Sequence, residues 1–174
     1  KGFLQKYWSA SRFAHPFIID YKPSTKDAES LTTLDKWILA KLVDMINTVT
    51  DAFDKYQFHI ATEAIQKFFW HDFCDQYLEA VKHRLYTKIN EENYAAARYA
   101  LHTVLWNTTR TLAPICPHIT EEIYQTLFKD ELMTIHAAEW PRVNDILFDV
   151  EAKEKGNIIM ETISTIRSEK ARAS

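Results

Sequence analysis

The chain has 174 residues, of which 47% are hydrophobic and 13% aromatic, so it is long and apolar enough to fold around its own core. Two glycines and five prolines are too few for a β-sandwich or a nucleotide-binding sheet with its glycine loops, which favours a nearly all-α fold. No apolar run reaches the ~18–20 residues of a membrane span, and the two cysteines are too few for a disulfide scaffold. We therefore expect a cytoplasmic protein without a membrane partner.

The net charge of −3 is unevenly distributed along the chain. Residues 1–26 carry five Lys or Arg and one acid, a net charge of +4. Residues 150–174 carry +1, so the segment between these two carries −8. An anionic partner should therefore meet the beginning of the chain rather than its acidic middle.

The first predicted helix spans residues 3–14, and prolines at 16 and 23 predict a loop across 15–31. A second helix is predicted over 33–56, where apolar residues recur every three or four positions. Thr32 followed by Asp35 has the pattern of a capping box at its start.

The third predicted helix, over 60–86, is apolar around more than half of its circumference and must lie between neighbours. A fourth helix follows Asn90, a suitable N-cap, and Pro114 ends or kinks it. A shorter helix is predicted over 121–128.

The remaining sequence predicts a connector and one more helix. Residues 130–147 are mixed in character and predict an extended connector, followed by a helix from Asp149 to Ser174 in which Gly156 is a weak point. The predicted fold is an all-α antiparallel helical bundle. We divide it into a bundle at 1–129, a connector packed on the bundle at 130–148, and a C-terminal helix at 149–174 that begins a following region.

Signatures of catalysis or metal binding are absent from the sequence. Two glycines exclude a glycine-rich phosphate loop, and no Cys-x-x-Cys pair occurs. Cys74 is more simply interpreted as a small core residue than as a zinc ligand beside His71. We expect no catalytic residue, metal or cofactor in this chain.

Six stretches of the sequence form an ordered series of motifs. They are Lys6-Tyr-Trp-Ser-Ala-Ser-Arg-Phe13, Leu34-Asp-Lys-Trp-Ile-Leu-Ala-Lys-Leu42, Phe68-Phe-Trp-His-Asp-Phe-Cys-Asp-Gln-Tyr-Leu-Glu79, Pro117-His-Ile-Thr-Glu-Glu-Ile-Tyr124, Glu139-Trp-Pro141 and Ile163-Ser-Thr-Ile-Arg-Ser168. Taken in this order, they resemble the valyl-tRNA synthetases, a family of class I aminoacyl-tRNA synthetases. Single stretches are shared with the isoleucine, leucine and methionine enzymes, whereas the Phe-Cys-Asp core at 73–75 is typical of the valine branch.

The resemblance implies an anticodon-binding helical domain of a longer enzyme. The parent enzyme would use ATP, with magnesium, to join valine to its tRNA. The two signature loops of the catalytic domain, His-Ile-Gly-His and Lys-Met-Ser-Lys-Ser, do not occur here. The implied partners of this chain are the anticodon arm of valine tRNA and the rest of the parent synthetase.

By their positions in the family motifs, five residues are candidates for tRNA binding. Arg12 would be a fork donor to a base or phosphate, and Trp37, preceded by Lys36, would be a platform for base stacking. Lys6 and Lys41 would contact phosphates. Two alternatives remain open at this point, because Trp37 lies in the predicted buried stripe and Arg12 could pair with an acid of a neighbouring helix.

Two other functions also remain open. The same domain of an isoleucyl- or leucyl-tRNA synthetase would share most of these motifs. A helical protein-interaction scaffold without a role in RNA binding would account for the acidic middle of the chain, whereas the basic first helix favours RNA.

Overall fold

The computed structural model describes residues 2–88, 90–128 and 132–172, and no strand occurs within these ranges. The predicted all-α bundle is confirmed. Its α-helices are α1 (Gly2–Ile18), α2 (Thr25–Glu29), α3 (Thr33–Asp54), α4 (Phe58–Lys67), α5 (Glu79–Thr87), α6 (Glu91–Leu112), α7 (Pro117–Leu127) and α8 (Val150–Arg172), with a π-helical segment (Phe68–Leu78) between α4 and α5.

Helix α3 lies at the centre of the bundle, where it packs against α4, the π-helical segment, α6 and α8. Its predicted capping box is confirmed, because the Thr32 side chain accepts from the Asp35 N–H while the Asp35 carboxylate accepts from the Thr32 N–H. The predicted stripe is buried from Trp37 to Val49, whereas Leu34 and Phe53 near the ends of the helix are only partly buried. Burial of this stripe places α3 in the middle of the domain.

Asp35 also joins three helices through a buried ion pair. Its carboxylate has no solvent exposure and accepts hydrogen bonds from both terminal nitrogens of Arg84 on α5, at 2.9 and 2.8 Å. The hydroxyl of Tyr77 donates to the same carboxylate at 2.6 Å. Arg84 in turn donates to the carbonyl of Asn93 on α6. This cluster satisfies a charge that would otherwise be very unfavourable in the core.

Helix α1 is longer than predicted. It continues past Pro16 to Ile18, and the predicted loop also contains the short helix α2. Proline removes one hydrogen bond, but Phe17 and Ile18 beyond it are buried, and their burial outweighs the loss. The prediction of a loop from residue 15 was therefore wrong over one turn.

The helix predicted over 60–86 contains a π-helical segment that we did not predict. Seven fully buried residues recur at strict intervals of four: Ala61, Ile65, Phe69, Phe73, Tyr77, Val81 and Leu85. On a regular α-helix this spacing drifts by about 40° per step, which would turn the last residue about 240° away from the first. A segment bonded from i to i+5 has more residues per turn and reverses the drift. The π-helical segment thus keeps one side of a long helix against the core.

Helix α7 begins at Pro117, four positions before the predicted start, and proline suits this first-turn position. The connector that follows contains two short 3₁₀ turns, Ile135–Ala137 and Val143–Asp145. The Trp140 indole N–H donates to Thr50 of α3 at 2.9 Å, which holds the connector on the bundle. The division into three units stays a prediction, and the boundary proposed between residues 129 and 130 lies outside the described residues.

Helix α8 runs along α3 and crosses it at Trp37. A Cβ atom on Gly156 would lie 2.4 Å from Trp37 Cγ, so only glycine permits this contact. The Trp37 indole N–H donates to the Asn157 side chain at 2.9 Å. Gly156, expected to be a weak point of the helix, is therefore the position at which α8 approaches α3. The predicted end of this helix at Ser174 lies outside the described residues.

Candidate nucleic-acid interface

The structure places the five candidate residues in three separate places. Arg12 and Lys6 both belong to α1. Arg12 lies on the side next to α7, whereas Lys6 lies against the π-helical segment. Lys36, Trp37 and Lys41 all lie beside α8. Lys6 and Arg12 are six positions apart on one helix, which separates their directions by about 120°.

Arg12 is exposed, and none of the described residues pairs with its guanidinium. Within the described residues, the alternative of an ion pair between Arg12 and a neighbouring helix is therefore not found. It lines a groove of about 470 Å³, which we call the Arg12 groove. The groove is formed by Trp8, Ser11, Arg12, His15, Ile123, Thr126 and Leu127.

The walls of the Arg12 groove differ in polarity. Ile123 and Leu127 of α7 are buried and form an apolar floor. The hydroxyls of Ser11 and Thr126 donate to backbone carbonyls of their own helices, so their hydrogens are already used. Among the described residues, no acceptor pairs with the Trp8 indole N–H or with the His15 imidazole. The groove thus offers an apolar floor, an open aromatic edge and unused donors.

Lys6 is already engaged with its neighbours. Its ammonium lies 2.5 Å from the Asp75 carboxylate and 4.5 Å from the centroid of the Trp70 ring. A phosphate would have to compete with this carboxylate. Lys6 is thus a weaker candidate for a phosphate contact than Arg12.

Trp37 offers no face to a base, because only 1% of its surface is exposed and α8 covers it. The interpretation of Trp37 as a stacking platform is wrong for this structure, and the alternative of a core tryptophan is what the structure contains. Lys41 lies 5.9 Å from the Trp37 ring and 4.0 Å from the Asp72 carboxylate. Lys36 is half-buried near Asp149 and Glu151 at the start of α8. Neither Lys36 nor Lys41 lines the Arg12 groove.

Sequence reasoning did not select Trp8, His15 or Leu127 for the site. Trp8 packs partly against the core, and it also lines the groove. The available signal was the spacing of Trp8, Arg12 and His15, which places all three on one side of a helix. Leu127 could not be selected, since the sequence does not say that α7 packs on α1.

Within the described residues, no three His, Cys, Asp or Glu side chains come close enough to hold a metal ion. Burial raises the pKa of the Cys74 thiol to about 12, so it is not a thiolate at neutral pH. None of the helices in the described ranges is both long and apolar enough to span a bilayer.

The fold and the sequence define a class of protein. The family model described as the anticodon-binding domain of tRNA ligase matches residues 35–174. The chain therefore belongs to this family. The matched residues begin in α3, so α1 with Arg12 and Lys6 lies before them.

Individual relatives extend the similarity over nearly the whole chain. Valine–tRNA ligase of Thermococcus kodakarensis is 38% identical over 95% of this chain and 19% of its own length. Valine–tRNA ligase of Pyrococcus abyssi is 39% identical over 97% of the chain and 19% of its own length. Valine–tRNA ligase of Ehrlichia canis is 38% identical over 99% of the chain and 22% of its own length. The chain thus spans about a fifth of the length of these relatives.

Proposed function

We propose that this domain binds the anticodon arm of valine tRNA and positions it for aminoacylation by a parent valine–tRNA ligase. The parent would use ATP, with magnesium, at a catalytic centre on residues that this chain does not contain, and would act in the cytoplasm. The relatives support valine over isoleucine or leucine, because those compared above are all named valine–tRNA ligases.

The observation that carries the proposal is the open guanidinium of Arg12 beside Trp8 in the Arg12 groove. Unpaired anticodon bases are bound by stacking on aromatic or guanidinium planes and by hydrogen bonds to their edges. Arg12 offers both a planar cation and a fork of donors. The net charge of +4 over residues 1–26 adds a local attraction for phosphates in an otherwise acidic chain.

The test is a binding measurement with two RNAs and two proteins. Valine tRNA and a copy with a changed middle anticodon base are titrated with the unmodified chain and with Arg12→Ala. We expect the unmodified chain to prefer the natural anticodon, and Arg12→Ala to lose roughly 1–3 kcal/mol of binding free energy together with most of that preference.

Arg142→Ala is the matched control, because Arg142 is an exposed arginine that pairs with Glu139 and does not line the groove. It should leave both affinities nearly unchanged. Equal affinity of the unmodified chain for both RNAs, with only salt setting its strength, would contradict the proposal and favour a scaffold.

A further inference from the structure

A second concave site lies next to the Arg12 groove. It is formed by the segment after α1, by α6 and by the end of α7, and its volume is about 310 Å³. Leu127 lines both sites, so they are neighbours on the surface. We call this second site the aromatic pocket, and its rings are Tyr21, His102, Trp106, Tyr124 and Phe128.

The rings of the aromatic pocket meet at angles rather than as a flat stack. Trp106 and Phe128 have centroids 5.3 Å apart with planes at 54°, and His102 meets Phe128 edge-on at 5.2 Å. Trp106 and Phe128 are only partly buried, and the Arg110 guanidinium lies 4.9 Å from the centroid of the Trp106 ring. Partly exposed rings suit a flat aromatic ligand, because every nucleobase has a face that can stack.

Hydrogen-bonding capacity remains unused inside the aromatic pocket. Among the described residues, no partner is bonded to the His102 imidazole or to the Trp106 indole N–H. Burial lowers the pKa of His102 to about 4, so at neutral pH its ring presents one N–H donor and one acceptor nitrogen. The Tyr21 hydroxyl, by contrast, already donates to Asp27 at 2.7 Å.

The opening of the aromatic pocket carries a positive charge. Lys22 is exposed at its edge, and none of the described residues pairs with its ammonium. A ligand that suits all of these features is flat and aromatic, has donors and acceptors on its edge, and is attached to an anionic chain. An unpaired nucleobase of RNA has this chemistry.

We infer that the aromatic pocket binds one unstacked base of the same RNA strand whose neighbouring nucleotide lies in the Arg12 groove. The base would lie against Trp106 and Phe128, exchange hydrogen bonds with His102, and place its phosphate near Lys22. This inference rests on the proposed function, since it assigns a second base site to the surface that would bind the anticodon arm.

The test combines base removal with pocket variants. The 174-residue chain is titrated with stem-loops of valine tRNA in which each loop nucleotide in turn lacks its base. For the unmodified chain, we expect one position at which base removal weakens binding by about 5- to 150-fold. With His102→Phe, which keeps a ring but loses both nitrogens, removal of that same base should cost at least threefold less.

His59→Phe serves as the matched control, because His59 is an exposed histidine of α4 outside both sites. It should reproduce the scan of the unmodified chain. Lys22→Ala should weaken binding to all the stem-loops by a similar factor of a few, because a phosphate contact does not depend on the base.

If removal of each base weakens binding to His102→Phe as much as it weakens binding to the unmodified chain, the inference is overturned. The aromatic pocket would then serve protein packing only. That outcome is distinct from failure of the proposed function, which would appear as insensitivity to Arg12→Ala. If His102→Phe reduces the loss of affinity caused by removal of one base, base binding in the aromatic pocket is supported even if Arg12→Ala has no effect.

Discussion

Arg84 and Arg12 are both arginines, but they lie in two regions of opposite character: Arg84 is paired in the core, whereas Arg12 is unpaired and exposed among the described residues. Arg84 joins α5 to α3 and α6, with both terminal nitrogens on the buried carboxylate of Asp35. Arg12 stands open in the groove between α1 and α7, with no carboxylate of the described residues paired to it. A buried paired arginine holds helices together, whereas an open one retains its donors for a ligand.

The largest effect should come from breaking the buried pair. Arg84→Met leaves the Asp35 carboxylate in the core without its cation, and we expect a loss of about 3–5 kcal/mol in the free energy of unfolding. Urea unfolding followed by circular dichroism measures this loss. Arg142→Met removes an exposed arginine with an acidic partner and should cost less than about 1 kcal/mol. Equal costs for both variants would contradict the assignment of Arg84 to the core.

The next effect concerns His102, a partly buried residue that lines the aromatic pocket. Burial lowers its folded pKa to about 4, below the value of about 6.5 expected in the unfolded chain. The unfolded state therefore binds more protons, and this contribution to stability, present above pH 6.5, is lost as the pH falls toward 4. The expected slope is up to about 1.4 kcal/mol per pH unit.

His102→Phe isolates that slope from the titration of carboxylates. Unfolding free energies of the variant and the unmodified chain are compared at several values between pH 4 and pH 7, and the difference should change with pH. A constant difference over this range would mean that His102 is solvated in the folded state.

A smaller effect is expected where α8 meets α3. Gly156→Ala places a Cβ against Trp37 and should cost about 1–3 kcal/mol from overpacking, although alanine favours the helix by up to about 1 kcal/mol. The fluorescence of Trp37 should shift to longer wavelength if α8 moves away. Gly2→Ala is the comparison, because the nearest atom to its Cβ would be 3.7 Å away. Unchanged stability in Gly156→Ala would show that α8 does not press on Trp37.

The smallest effect on stability should be that of Arg12. Because its guanidinium has no partner in the described chain, Arg12→Ala should change the free energy of unfolding by no more than about 0.5 kcal/mol. The same urea experiment as for Arg84→Met measures it. A loss above about 2 kcal/mol would place Arg12 in an ion pair and remove the contrast with Arg84.

Parts of the fold and of the candidate site could be predicted from local sequence. Thr32 and Asp35 predicted the start of α3, and Asn90 predicted the start of α6, because a cap acts over only three residues. Arg12 was selected from its place in a family motif, and the structure leaves it open. By contrast, the turn of helix beyond Pro16 was missed, since it depends on the burial of Phe17 and Ile18 against other helices.

Local sequence is sufficient to predict the helical class of this protein, the caps and buried stripes of its long helices, and its resemblance to one family. The packing of the helices is what covers Trp37, pairs Arg84, and brings Trp8, Arg12 and His15 into one groove with Leu127. The structure also contains the π-helical segment that keeps seven residues spaced by four on one side. The physical reason is the range of the forces involved. Caps and periodicity act within a helix, whereas burial and pairing depend on which helices meet.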